Sequence, residues 1–92
     1  MKKELKKHGF TVTGNKKDGY EAQQSTPAGE DWWITFSDKE NLMDYCLYYP
    51  KEEELEMLIK SDIQGKPSIK TLVEDADWKE QKLKDVLVEL MR

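Results

Sequence analysis

The stretch Asp31-Trp32-Trp33-Ile34-Thr35-Phe36-Ser37 constrains this chain more than any other. Trp32, Ile34 and Phe36 alternate with Trp33 and Thr35, the period-2 pattern of a β-strand with one buried face. Pro27-Ala28-Gly29 predicts a turn just before it. Ser37-Asp38-Lys39-Glu40 reads as a capping box that starts a helix just after it. A strand this aromatic is the natural centre of a small core, because each large ring buries roughly 150–250 Å². The chain needs such a centre: hydrophobic and charged residues each make up 37 % of it, and a domain of this size buries only about 60–70 % of its unfolded surface.

Two further strands are predicted upstream. Phe10 and Val12 alternate with Thr11 and Thr13, and Tyr20, Ala22 and Gln24 share one face of a weaker strand. Between them Gly14-Asn15-Lys16-Lys17-Asp18-Gly19 suits a hairpin loop. Before them, Lys2 to Lys7 forms a short helix anchored by Leu5 and ended by Gly9. From Ser37 onward the period turns helical. Leu42, Tyr45, Cys46 and Tyr49 make one stripe, Leu55, Leu58, Ile59 and Ile63 a second, and Gly65-Lys66-Pro67 ends that helix. Glu52, Glu53 and Glu54 follow Pro50 where the helix dipole favours anions. Ile69, Leu72, Val73 and Ala76 begin a third stripe, and Leu83, Val86, Leu87 and Leu90 supply a fourth. Asp77-Trp78-Lys79-Glu80 offers a capping box, so a break is expected there; one continuous helix from Ile69 to Met91 is the alternative. The expected architecture is one α+β domain over residues 1–92. It has a short N-terminal helix and a three-stranded antiparallel meander, with three to four C-terminal helices covering one sheet face.

Chemistry is poorly represented. Cys46 lies on an apolar stripe without a partner signature, so a buried, inert thiol is expected. His8 is read as a surface residue. Two Cys/His residues cannot supply a structural zinc site, and neither a calcium-loop spacing nor a phosphate-binding Gly-rich loop is present. Asp75-Ala76-Asp77 with Glu80 is read as capping, and Glu30-Asp31 as turn chemistry. No catalytic residue, metal or cofactor is expected, and the enzyme class is set aside. A single cysteine rules out an internal disulfide and fits a reducing compartment. With no apolar run near the roughly 18 residues that span a bilayer and no signal-peptide pattern in Met1–Lys7, a cytoplasmic location and no membrane partner are expected.

Charge separates two binding classes. Residues 1–20 carry six lysines against Glu4 and Asp18, a balance of +4, while the remaining nine basic residues face seventeen acids. Lys2, Lys3, Lys6, Lys7, Lys16 and Lys17 converge on phosphates if the first helix packs near the hairpin loop. The pI near 5.0 and the lack of arginine before Arg92 count against that reading. An acidic and aromatic surface fits the composition better. Tyr48 and Tyr49 with Glu52, Glu53, Glu54 and Glu56, joined by an exposed Trp33, supply ring area and charge for a protein partner with a basic groove, such as a nucleic-acid-binding enzyme; the alternative for the two tyrosines is that they fill the layer between sheet and helices.

The residues Thr26-Pro27-Ala28-Gly29-Glu30-Asp31-Trp32, a Thr-Pro-x-Gly-Glu-Asp-Trp motif, add a resemblance. With Gly9-Phe10, Gly19-Tyr20, Lys51–Met57 and Pro67-Ser68-Ile69, they resemble short uncharacterised proteins of bacterial phages and conjugative elements. That family brings no catalytic residue to carry over. The resemblance implies a context, that of small accessory binders which blunt host defence in the manner of anti-CRISPR or anti-restriction proteins. The sequence-based expectation is therefore a small protein-binding accessory or inhibitor module. A nucleic-acid-associated protein using the N-terminal lysines is the alternative.

Overall fold

The computed structural model describes residues 1–60 and 68–92. The chain runs α1 (Lys2–Lys7), β1 (Thr11–Asn15), β2 (Gly19–Ser25), β3 (Asp31–Phe36), α2 (Lys39–Leu47), α3 (Lys51–Lys60) and α4 (Ile69–Leu90). The strands form an antiparallel sheet in the order β1-β2-β3, which is the α+β meander expected. Alternation decides which face is buried. Trp32, Ile34 and Phe36 are 2–4 % exposed, whereas Trp33 is 57 % exposed. On β2, Tyr20, Ala22 and Gln24 stand opposite Phe36, Ile34 and Trp32, so they share the inner face. Leu5, Leu42, Cys46, Leu83, Val86 and Leu90 close the core from the helical side. Phe10 and Trp78 flank Trp32 at ring-centroid distances of 5.3 and 5.9 Å.

The hairpin is tighter than the six-residue loop expected, because Asn15 pairs with Gly19 and only Lys16–Asp18 turn. The Asp18 N–H donates to Asn15 Oδ1 at 2.8 Å, holding the turn closed. Gly14 has φ +98°, and a Cβ there would sit 2.2 Å from the Gly19 carbonyl oxygen. Gly29 has φ +86° but open space around it. Both resist a side chain through φ, which costs of order 1–3 kcal/mol; only Gly14 adds a backbone collision. Gly14→Ala is therefore expected to destabilise clearly more than Gly29→Ala in urea titrations. Equal losses would contradict this account of the hairpin.

Several helical expectations are corrected. The N-cap of α2 is Asp38, not Ser37: Asp38 Oδ1 accepts the Asn41 N–H at 2.8 Å, and Asn41 Oδ1 accepts the Ser37 N–H at 2.9 Å. Asn41 thus does the reciprocal work assigned to Glu40, one residue further on. α4 is one helix of 22 residues capped by Ser68, with no break at Asp77. The acids read there as caps make tertiary contacts instead. On α4, Leu72 and Ala76 are buried, while Ile69 and Val73 are 60 % and 37 % exposed. α3 has no buried residue and packs on α4. Its Leu55 and Leu58 are half-buried and Ile59 is exposed. Ile63 and the stop at Gly65-Lys66-Pro67 lie outside the described residues. Among the described residues no helix is long and apolar enough to cross a membrane.

Candidate protein-binding surface

The corner between α2 and α3 separates two adjacent tyrosines. α2 ends at Tyr48, whose N–H donates to the Asp44 carbonyl, and the Lys51 N–H donates to the Tyr49 carbonyl as α3 begins beyond Pro50. One helical turn sets Tyr49 beside Tyr45, edge to face at 5.8 Å, and both pack against the core. Tyr48, the residue that caps the end of α2, is 73 % exposed. Lys51 pins the corner to α4. Its ammonium bridges Asp77 and Glu80, and the bond to Asp77 raises its pKa above the usual lysine range. Tyr48, Tyr49, Pro50, Lys51, Glu52 and Glu53 line a shallow hollow of about 310 Å³ there.

The glutamates divide in the same way. Glu52, Glu53 and Glu56 are exposed, and Glu56 pairs with Lys60 at 2.7 Å. Glu54 turns inward beside the Tyr49 hydroxyl, and its Oε2 is shielded without a hydrogen bond of normal geometry. Burial first, and the Glu54 charge second, push the Tyr49 hydroxyl well above its ordinary range. Trp33 does not join this surface. It stands on the open face of the sheet, opposite the face that meets the helices. The expected surface therefore resolves into two patches: the α2–α3 corner with Tyr48, Glu52, Glu53 and Glu56, and the open sheet face with Trp33.

Of the six lysines, four lie on α1 and two in the hairpin turn, and α1 packs beside β1. Lys2 stands over the Tyr20 ring at 5.4 Å, near the hairpin end of the sheet, with Lys16 and Lys17 at the hairpin tip. Lys7 is tied to Glu89 at 2.9 Å, a bond that lowers the Glu89 pKa. The groove beside Lys3 and Lys7 also carries Glu4, Glu89 and Arg92, so its charge is mixed. Lys3 and Lys6 are exposed. A wider hollow of about 540 Å³ at the hairpin end is lined by Asp18, Tyr20, Glu21, Thr35 and Asn41 among others, of which only Tyr20 is expected from the sequence as a binding residue, as a base-stacking ring.

Cys46 is buried, as its stripe position implies, and burial pushes its thiol from 9.0 up to about 11. His8 is a correction: it is half-buried at the end of α1, with Nε2 shielded from solvent. The Trp32 indole N–H is shielded without a hydrogen bond of normal geometry, with the Tyr45 hydroxyl beside it. Burial raises Tyr45 to about 12. Folding thus favours the protonated forms of Cys46 and Tyr45. Their contribution to stability is full below the unfolded-state values and is lost as pH rises through about 11 and about 12. Thermal melts are expected to hold steady from neutral pH to about 8.5 and to fall steeply above about 10, where unfolded thiols and phenols ionise. A melting temperature unchanged to pH 12 would contradict the burial of these groups.

Sequence reasoning missed Lys79. It is 2 % exposed, with Nζ 2.9 Å from Glu30 Oε2 and 5.7 Å from the Trp32 ring centroid. Beside it, buried Asp75 accepts the Ala28 N–H at 3.2 Å. These two residues bind α4 to the turn that opens β3, where Thr26 closes the loop through its N–H to the Glu30 carbonyl. The signal was present: Leu72, Asp75, Ala76, Lys79 and Leu83 fall at i, i+3, i+4, i+7 and i+11, one helical face. Charged residues inside an apolar stripe point to a buried pair.

Comparison of the chain with protein-family models, curated proteins and solved structures found no match. Among the described residues no group of three or more His, Cys, Asp or Glu side chains is arranged to hold a metal ion.

Proposed function

We propose that this chain is a small protein-binding accessory or inhibitor module that docks a basic partner surface through its α2–α3 corner. The observation that carries the reading is Tyr48, 73 % exposed at the rim of a hollow lined by Glu52 and Glu53. An exposed tyrosine on a pinned corner brings contact area at low entropy cost, and the flanking carboxylates steer a cationic partner toward it. The partner class that fits is a nucleic-acid-binding enzyme with a basic groove. The resemblance carried by Thr26–Trp32 supports a phage or mobile-element setting and a counter-defence role of anti-CRISPR or anti-restriction type. The reading is one of binding, without a catalytic step.

The test is capture of partners from host lysate, with and without nuclease, using three variants. Tyr48→Ala, and Glu52, Glu53 and Glu56→Gln together, are expected to weaken capture, the glutamine set also flattening its salt dependence. Glu54 is left unchanged because it turns inward. Lys2, Lys3, Lys6 and Lys7→Gln together are expected to have little effect. Capture that nuclease abolishes, or that only the lysine set weakens, would replace this reading with nucleic-acid association.

A further inference from the structure

β3 ends the sheet, and no described segment closes its outer edge. It pairs with β2 alone, in unbroken register from Ser25↔Asp31 to Tyr20↔Phe36. No backbone hydrogen bond joins it to another described segment beyond that ladder. Alternate amides along β3 therefore point away from the sheet. Natural edges are guarded by lysine, proline, a bulge or a covering element. Asp31–Phe36 contains no lysine or proline, and the unbroken register leaves no bulge. α2 lies against the inner face instead, where Leu42 and Cys46 join the cluster of Trp32, Ile34 and Phe36. The opposite edge is built differently: β1 contains Gly14, runs into Lys16 and Lys17, and packs beside α1.

We propose that β3 pairs antiparallel with β3 of a second copy of this chain, joining two three-stranded sheets into one of six strands. Unpaired strand amides select an extended strand as the occupant, and charge and symmetry select this chain's own. Directly opposed residues of an antiparallel pair share a face, so the two-fold axis falls on a residue. On Trp33, it sets the two exposed indoles side by side, Trp32 opposite Ile34 of the second copy, and Asp31 opposite Thr35. Asp31 is the one acidic or basic residue on β3. The two Asp31 residues are then four positions apart along the strands, about 14 Å at roughly 3.4 Å per residue, beyond the Debye length of about 8 Å. Self-pairing thus covers Trp33, 57 % exposed, and keeps the two Asp31 carboxylates apart. The inference rests on β3 and is independent of the α2–α3 corner.

Sedimentation equilibrium of the full chain is expected to give twice the 10.8 kDa monomer mass at micromolar concentrations. Trp33→Lys places an edge guard at the axis and is expected to weaken the dimer by about tenfold or more. Its far-UV circular dichroism should match the parent, since position 33 faces solvent. Trp33→Cys is expected to give a covalent dimer under mild oxidation, because opposed Cα atoms about 4.5–5.5 Å apart lie within disulfide range. Glu21→Cys, on the same face of the central strand, is expected to stay uncross-linked. A monomer mass up to hundreds of micromolar, or a dimer that Trp33→Lys leaves intact, would overturn the proposal.

Discussion

Trp32→Ala is expected to destabilise the fold by about 3–5 kcal/mol, the usual cost of truncating a buried large aromatic. Trp32 is 2 % exposed and lies between Phe10 and Trp78, so its loss opens a void where sheet, turn and α4 meet. For a domain whose total stability is about 5–15 kcal/mol, much of the native population is at stake. Trp33→Ala, on the open face, is expected to fall within about 0.5 kcal/mol of the parent as a monomer. Guanidinium titration followed by circular dichroism, at concentrations low enough to keep the chain monomeric, distinguishes the two. Comparable losses would mean that the alternation along β3 does not describe its burial.

Glu30→Ala is expected to cost toward the lower end of the about 3–5 kcal/mol seen when one partner of a buried pair is removed. The asymmetry of the pair sets the direction. Lys79 is 2 % exposed, whereas the Glu30 side chain is 37 % exposed. Removing Glu30 takes the paired carboxylate from an ammonium inside the core and leaves it over the Trp32 ring. Lys79→Met keeps most of the volume and leaves Glu30 to water, so it is expected to be close to neutral. The double variant should recover most of what Glu30→Ala loses, a coupling read from a thermodynamic cycle. If Glu30→Ala proved no costlier than Lys79→Met, the turn before β3 would be held by Thr26 and Asp75 rather than by this pair.

Local pattern was legible wherever one residue's neighbours in sequence were also its reporters. The alternation of Asp31–Phe36 announced its buried face, and the stripe of Leu42 and Cys46 announced theirs, because strand and helix periods map sequence directly onto a face. The tyrosine pair was legible only in part. Tyr48 and Tyr49 are neighbours in sequence and so look alike, but the helix ends between Leu47 and Tyr48, and the corner leaves one ring exposed and sets the other onto Tyr45. Asp75, Asp77, Lys79 and Glu80 were misread for a different reason. A capping box and a set of tertiary ion-pair partners have the same composition, and only the approach of Glu30, Ala28 and Lys51 tells them apart.

By itself, then, the sequence determined the order of elements, the three-stranded meander, the inner face of β3 and the burial of Cys46. All of these follow from spacing of polar and apolar residues along the chain. Tertiary structure alone decided that residues 69–90 form one helix, that Glu54 turns inward, and that Trp33 lies on the far side of the sheet from Tyr48. It also decided that Lys7 pairs with Glu89 and that Lys2 stands over the Tyr20 ring. Each of these depends on which distant groups meet. A charged side chain carries no mark of its partner until the fold brings a carboxylate within about 3–4 Å of its amine.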